Sequence, residues 1–126
     1  QSTFIIFKGQ KSHNDSEILS IQEYLEQNYQ DKITVDELSE KIATSRRTFE
    51  RRFKKATSNT VIEYLQRVKI EAAKKALEKE EKTINEIMFD VGYNDPKSFR
   101  EIFKKITNMT PSEYLNKYRK ITSIPY

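Results

Sequence analysis

The chain contains no cysteine and no tryptophan, and only one histidine, two glycines and three prolines among its 126 residues. Without cysteine there is neither a disulfide nor a thiolate-held metal, a usage that suits a reducing, cytoplasmic setting. A single histidine, His13, and the absence of a glycine-rich phosphate loop leave catalysis without a general base, a nucleophile or a cofactor cradle. The longest early apolar run, Phe4 to Phe7, is far too short for a membrane span or a signal peptide. Two carboxylate groupings, Asp36 with Glu37 and Glu78 with Glu80 and Glu81, fall at capping or exposed positions and read as solvated. His13 reads as a solvated linker side chain. The expectation is a protein that is not an enzyme and uses no cofactor and no metal.

What remains is rich in charge. Charged residues make up 33% and hydrophobic residues 36%, with a formal net charge of +4. That bias alone gives a weak attraction to polyanions and says nothing about fold. Seven phenylalanines and seven tyrosines still supply a core and argue against disorder. The length suits one compact domain, or two subdomains sharing an element.

The chain also repeats itself. Phe49 to Lys69 returns fifty residues later at Phe99 to Arg119, matching Phe49 with Phe99, Phe53 with Phe103, Lys54 with Lys104, Lys55 with Lys105, Thr57 with Thr107, Thr60 with Thr110 and Glu63-Tyr64-Leu65 with Glu113-Tyr114-Leu115. A solenoid needs about three such units before a continuous core forms, so two copies favour a paired recognition module.

Apolar residues recur at three- and four-residue spacing, and four Thr-x-x-Glu sequences, from Thr34, Thr60, Thr83 and Thr110, fit capping boxes that mark helix starts. The reading is all-α. A first helix covers Ser16 to Tyr29, and a second starts after Thr34. Ser45 caps a third that carries Phe49, Phe53 and Ala56. Val61 to about Lys79 forms a long helix of about 28 Å. The pattern then repeats, with a turn at Gly92-Tyr93-Asn94, Asp95 as N-cap and Pro96 in the first position. Leu38 and Ile87 lie 49 apart but Ser45 and Asp95 lie 50 apart, so the second turn is one residue longer. Residues 1–15 read as a linker or the remnant of an upstream domain, with Phe4 to Phe7 able to pair as a strand. The expected boundaries are a first helix-turn-helix at about 34–58, a connecting helix at 61–79, a second helix-turn-helix at 83–107, a last helix at 110–119, and a tail at 121–126.

Winding Ser45 to Ser58 at 100° per residue sets Phe49, Phe53 and Ala56 against Arg47, Arg51, Lys54 and Ser58. In a helix-turn-helix the second helix packs by its apolar stripe and offers the opposite face to the DNA major groove, its N-terminal residues nearest the bases. Arg47 and Arg51 can grip guanine in a bidentate fork, and Glu50 can accept from cytosine N4. Arg46, Arg52, Lys54 and Lys55 are assigned to phosphates, which set register without carrying sequence information. The corresponding second face has Lys97, Glu101 and Lys104, with Arg100 at its flank. Glu101 stands at i,i+4 spacing from Lys97 and from Lys105, where a local ion pair can form. The phenylalanines and the repeated tyrosines read as core, and Gly92 as a residue that permits a positive φ or a close helix approach in the turn.

The order SRRTFERRFKKAT, a long helix, then INEIMFDVGYNDPKSFREIFKKITNMTPSEY closely resembles the AraC/XylS transcription regulators over residues 16–120. The resemblance implies seven helices in two helix-turn-helix subdomains joined by the long helix, with both recognition helices in successive major grooves of double-stranded DNA. It carries base readout onto Arg46, Arg47, Glu50 and Arg51 and, in the second module, Lys97, Arg100 and Glu101; Lys104 and Lys105 parallel Lys54 and Lys55 as phosphate contacts. The usual reader at position 101 is polar or basic, so Glu101 departs from the pattern. RNA polymerase is the implied partner of an activator. The N-terminal FIIFKGQKSHND resembles the junction in relatives with an upstream DJ-1-like sensor domain, implying a longer regulator. Two rival readings use the same residues: a nonspecific architectural or RNA-binding protein, and a helical protein-interaction module that has lost DNA binding.

Overall fold

A computed structural model describes Lys11 and residues 13–122, with side chains through Arg119. The proposed Phe4 to Phe7 strand and the end of the tail lie outside the described residues. Seven helices, and no strand, are present among the described residues: α1 Ser16–Asn28, α2 Val35–Lys41, α3 Arg46–Thr57, α4 Val61–Lys79, α5 Ile84–Asp90, α6 Pro96–Thr107 and α7 Pro111–Thr122. α1 stops at Asn28, with Tyr29 as its cap, and α7 continues past the expected 119.

The chain falls into two units that meet within α4, Gln1–Val68 and Lys69–Tyr126. In the first, Ile18, Ile21, Leu25, Leu38, Phe49, Phe53, Val61, Tyr64 and Val68 form one buried cluster. In the second, Ile70, Ala73, Leu77, Ile87, Met88, Val91, Phe99 and Phe103 are buried. The aromatic packing is duplicated. Phe53 lies 5.8 Å from Phe49 and meets Tyr64 edge-on at 5.5 Å, while Phe103 lies 5.9 Å from Phe99 and meets Tyr114 edge-on at 5.8 Å. Edge-to-face pairing at these separations is the geometry ring quadrupoles favour.

The repeat reaches further back than sequence identity shows. Ile18, Ile21, Leu25 and Glu26 of α1 stand 52 residues before Ile70, Ala73, Leu77 and Glu78 of α4. The first three pairs are buried, and the two glutamates each take the hydroxyl of the repeated tyrosine: Tyr64 donates to Glu26 and Tyr114 to Glu78. α4 therefore ends one copy and begins the next. Glu78 is consequently not the freely solvated carboxylate expected. Its neighbour Glu80 accepts from Arg119 at 2.6 Å.

Helix starts follow the capping logic, with one variation. Thr60, Thr83 and Thr110 form reciprocal boxes, each amide donating to the glutamate three residues on at 2.8 Å and each hydroxyl accepting that glutamate's amide at 3.1 Å. At Thr34 the hydroxyl accepts from the Glu37 amide but donates to the Glu37 carboxylate, so that carboxylate serves the side chain.

The two helix-turn-helix turns share one hydrogen-bond pattern. Ala43 N–H donates to Glu40 O and Thr44 N–H to Ser39 O; Gly92 N–H donates to Phe89 O and Tyr93 N–H to Met88 O. The extra residue of the second turn is thereby located at Asn94, inserted between this shared pattern and the Asp95 cap. Gly92 has φ 99°, as its residue type suggests, but the first turn uses Ala43 at φ 52°. A left-handed backbone crowds an alanine Cβ at a cost of roughly 1–2 kcal/mol, partly offset in a glycine variant by greater unfolded-state entropy. Ala43→Gly is expected to raise stability by about 0.5–1 kcal/mol in urea unfolding. A decrease would show that the turn carries no such strain.

Candidate nucleic-acid interface

α3 is placed by what it buries. Ser45 Oγ accepts the Thr48 amide at 3.1 Å to start it, and Ser58 ends it at φ 62°. Phe49, Phe53 and Thr57 face inward. Thr57 closes the far end: its hydroxyl faces the carbonyls of Phe53 and Asn59 at 2.9 and 3.0 Å and accepts the Asn59 amide. One hydroxyl hydrogen serves both carbonyls in turn or by sharing. Thr107 repeats the arrangement in α6 with Phe103 and Met109.

The opposite face of α3 is open. Arg46, Arg47, Glu50, Arg51, Lys54 and Lys55 are all exposed. No carboxylate among the described residues forms an ion pair with Arg47 or Arg51, so both guanidiniums keep their forks available. Arg46 is loosely flanked by Asp36 at 3.8 Å and Glu50 at 3.7 Å. Lys54 lies 3.9 Å from Glu63 and also donates to the Ser58 carbonyl. Exposed pairs this long contribute little and open easily.

Arg52 is placed differently from the expectation that grouped it with the phosphate-binding lysines. It is half-buried, its Nε donating to Asp15 Oδ2 at 3.1 Å and its Nη2 to Asp15 Oδ1 and Glu17 Oε1, both at 2.8 Å. The hydrogen bond from Arg52 holds the Asp15 carboxyl below its ordinary range, and the same partners raise the arginine. Because Asp15 is depressed in the folded state, this pair stabilises at neutral pH and is lost only as pH falls through the folded value.

His13 is likewise tied in rather than solvated. Its Nδ1 accepts the Asp15 amide at 3.1 Å, which leaves the hydrogen on Nε2 for Gln22 Oε1 at 2.8 Å. Gln22, fully buried, is also hydrogen bonded to Tyr64, whose phenol is raised chiefly by burial. Lys11 donates to Glu26 at 2.8 Å. Lys11, His13 and Asp15, read from sequence as part of a linker or domain remnant, are thus tied by side-chain hydrogen bonds to α1 and α3. No spacing rule flags such tertiary partners; the only hint was Asp15 ahead of a helix start.

In the second unit, Asp95 caps α6 by accepting the amide and hydroxyl of Ser98, the hydroxyl bond being foremost in lowering its carboxyl. Phe99 and Phe103 are buried, and Lys97, Arg100, Glu101, Lys104 and Lys105 are exposed. The anticipated local pairing of Glu101 with Lys97 or Lys105 is not formed; among the described residues the i,i+4 ion pair of a recognition helix is that of Arg46 with Glu50. Beside the turn, Lys69 Nζ lies 5.0 Å from the centre of the Tyr93 ring. Burial lowers the lysine and pushes the tyrosine up to about 12, and the Tyr93 hydroxyl has no partner among the described residues. No helix among the described residues is long and apolar enough to cross a membrane.

Two units, each with a short helix, a tight turn and a second helix whose polar face is open, define a paired helix-turn-helix protein. The profile of a helix-turn-helix domain family matches residues 38–117, and the chain belongs to that family in its AraC-type form. It is 37% identical over 91 residues to an uncharacterized HTH-type transcriptional regulator (cgkA 5′ region) of Pseudoalteromonas carrageenovora, covering 72% of this chain and 54% of that protein. It is 37% identical over 94 residues to the bifunctional transcriptional activator/DNA repair enzyme AdaA of Bacillus subtilis (strain 168), covering 75% and 44%. The chain thus spans about half the length of these curated relatives. Among solved structures, the DNA-binding domain of AdpA, a global transcriptional factor seen in complex with a target DNA, matches with TM-score 0.73 at 25% identity, covering 84% of this chain and 93% of that one.

Proposed function

We propose that this chain binds double-stranded DNA sequence-specifically, as the DNA-reading part of a cytoplasmic transcription regulator, with α3 and α6 in successive major grooves. The observation that carries the reading is the division of α3: Phe49 and Phe53 are buried while Arg47 and Arg51 are exposed and free of carboxylate partners among the described residues. On this reading Arg46, Arg47, Glu50 and Arg51 face base edges from α3, and Lys97, Arg100 and Glu101 do so from α6. Lys54, Lys55, Lys104 and Lys105 meet phosphates. Family membership and the DNA complex known for AdpA support it. The chain acts by binding rather than catalysis; RNA polymerase is its partner if it activates, and any sensor would be a separate domain.

Selection from random duplexes, followed by footprinting of the winning site, tests this. An enriched motif protected in two adjoining major grooves is the expected result, with an asymmetric site because α3 and α6 carry different side chains. Binding without enrichment would favour an architectural or RNA-binding protein. Loss of duplex affinity even at low salt would favour a protein-interaction module.

A further inference from the structure

Arg52 is one helical step from Arg51, yet its surroundings oppose any polyanion. Two carboxylates, Asp15 and Glu17, already occupy its guanidinium, and a phosphate brought beside it would meet both negative charges. Asp15 is itself fixed. Its Oδ1 accepts the Ile18 amide at 3.2 Å as the N-cap of α1, and its own amide is held by His13. The same carboxylate therefore caps α1 and grips α3 at its midpoint. A bidentate arginine–carboxylate pair resists rotation as well as separation, because both N–H···O bonds must remain aligned.

We propose that Arg52 is a positioning residue: clamped by Asp15 and Glu17, it fixes the rotation of α3 against α1 and so aims Arg47 and Arg51 at the bases, without itself touching DNA. This rests on the DNA-reading function proposed above. The phosphate set on α3 then reduces to Lys54 and Lys55.

The test compares wild type, Arg52→Ala, Arg52→Lys and Asp15→Asn on a selected duplex and a scrambled one across a salt series. Asparagine caps helices about as well as aspartate, so Asp15→Asn spares the start of α1 while removing the charge that holds Arg52. Arg52→Ala and Asp15→Asn are each expected to lower the preference for the selected duplex about fivefold, the low end of one guanine fork. Arg52→Lys, which keeps the charge but not the fork, should not restore it. The slope of log affinity against log salt should stay at the wild-type value. A slope reduced by about 0.9 with equal weakening on both duplexes would make Arg52 a phosphate contact and overturn the proposal. Tighter binding of Asp15→Asn to both duplexes, with preference intact, would overturn it too, because charge alone would then explain the variant.

Amide hydrogen exchange without DNA gives an independent reading. Arg52→Ala and Asp15→Asn should each speed exchange along α3 and leave α6 unchanged; unaltered α3 protection defeats the clamp whatever the DNA results. If wild type shows no preference among duplexes while α3 responds as expected, the base-reading function fails and the clamp stands.

Discussion

Phe53→Ala should destabilise the first unit by about 3–5 kcal/mol, the usual cost of removing a buried phenylalanine. Phe53 is fully buried and touches the two largest side chains of its cluster, Phe49 and Tyr64. The loss combines transfer of the ring with the cavity left beside Phe49 of α3 and Tyr64 of α4. Small domains have only about 5–15 kcal/mol in total, so the variant would lose a large share of its stability. Urea unfolding followed by circular dichroism would measure it, with Phe53→Leu as the milder control. Phe103→Ala should cost a comparable amount in the second unit, where Phe99 and Tyr114 repeat the arrangement. A loss below about 1 kcal/mol at Phe53 would mean that the ring is not a structural centre.

Arg51→Ala is expected to act on recognition rather than folding, since the residue is exposed and forms no ion pair with any described carboxylate. On a selected duplex its affinity should fall by about 1–3 kcal/mol, with the specificity relaxed at one position of the site. On scrambled DNA the fall should be much smaller. Lys54→Ala should instead weaken both duplexes alike and lower the salt slope by about one. Fluorescence anisotropy on the two duplexes separates these patterns. Equal losses on both for Arg51→Ala would remove it from base reading.

Much of this molecule was legible in one dimension. Threonine three residues ahead of glutamate marked helix starts because the hydroxyl, and at three of the four sites the carboxylate too, answers a backbone group within one turn. Phe49, Phe53, Phe99 and Phe103 declared a buried face by spacing alone. Gly92 announced its backbone, whereas Ala43 did not, since the need for positive φ comes from the turn and alanine ordinarily avoids it. The α1 copy inside α4 was hidden because it preserves apolar character and one glutamate, while Ala73 replaces Ile21 and Lys74 replaces Gln22. The partners of Arg52 and His13 were illegible for a different reason. They are 37 and 9 residues away, and only the folded chain brings Asp15 to Arg52 and Gln22 to His13.

The overlap of the two copies in α4 also limits how the protein can be taken apart. Domains usually separate at an exposed, polar linker where cutting harms neither side. Here the seam between Val68 and Lys69 falls inside a continuous helix, with buried residues close by on each side, Val68 at the seam and Ile70 one residue past Lys69. Trimming at the seam leaves one fragment with a helix stub of eight residues, Val61 to Val68, too short to persist unaided. Retaining all of α4 instead leaves Ile70, Ala73 and Leu77 bare to water. Neither half can be excised with a clean surface, so a minimal single-reader version would need those apolar positions rewritten as polar ones.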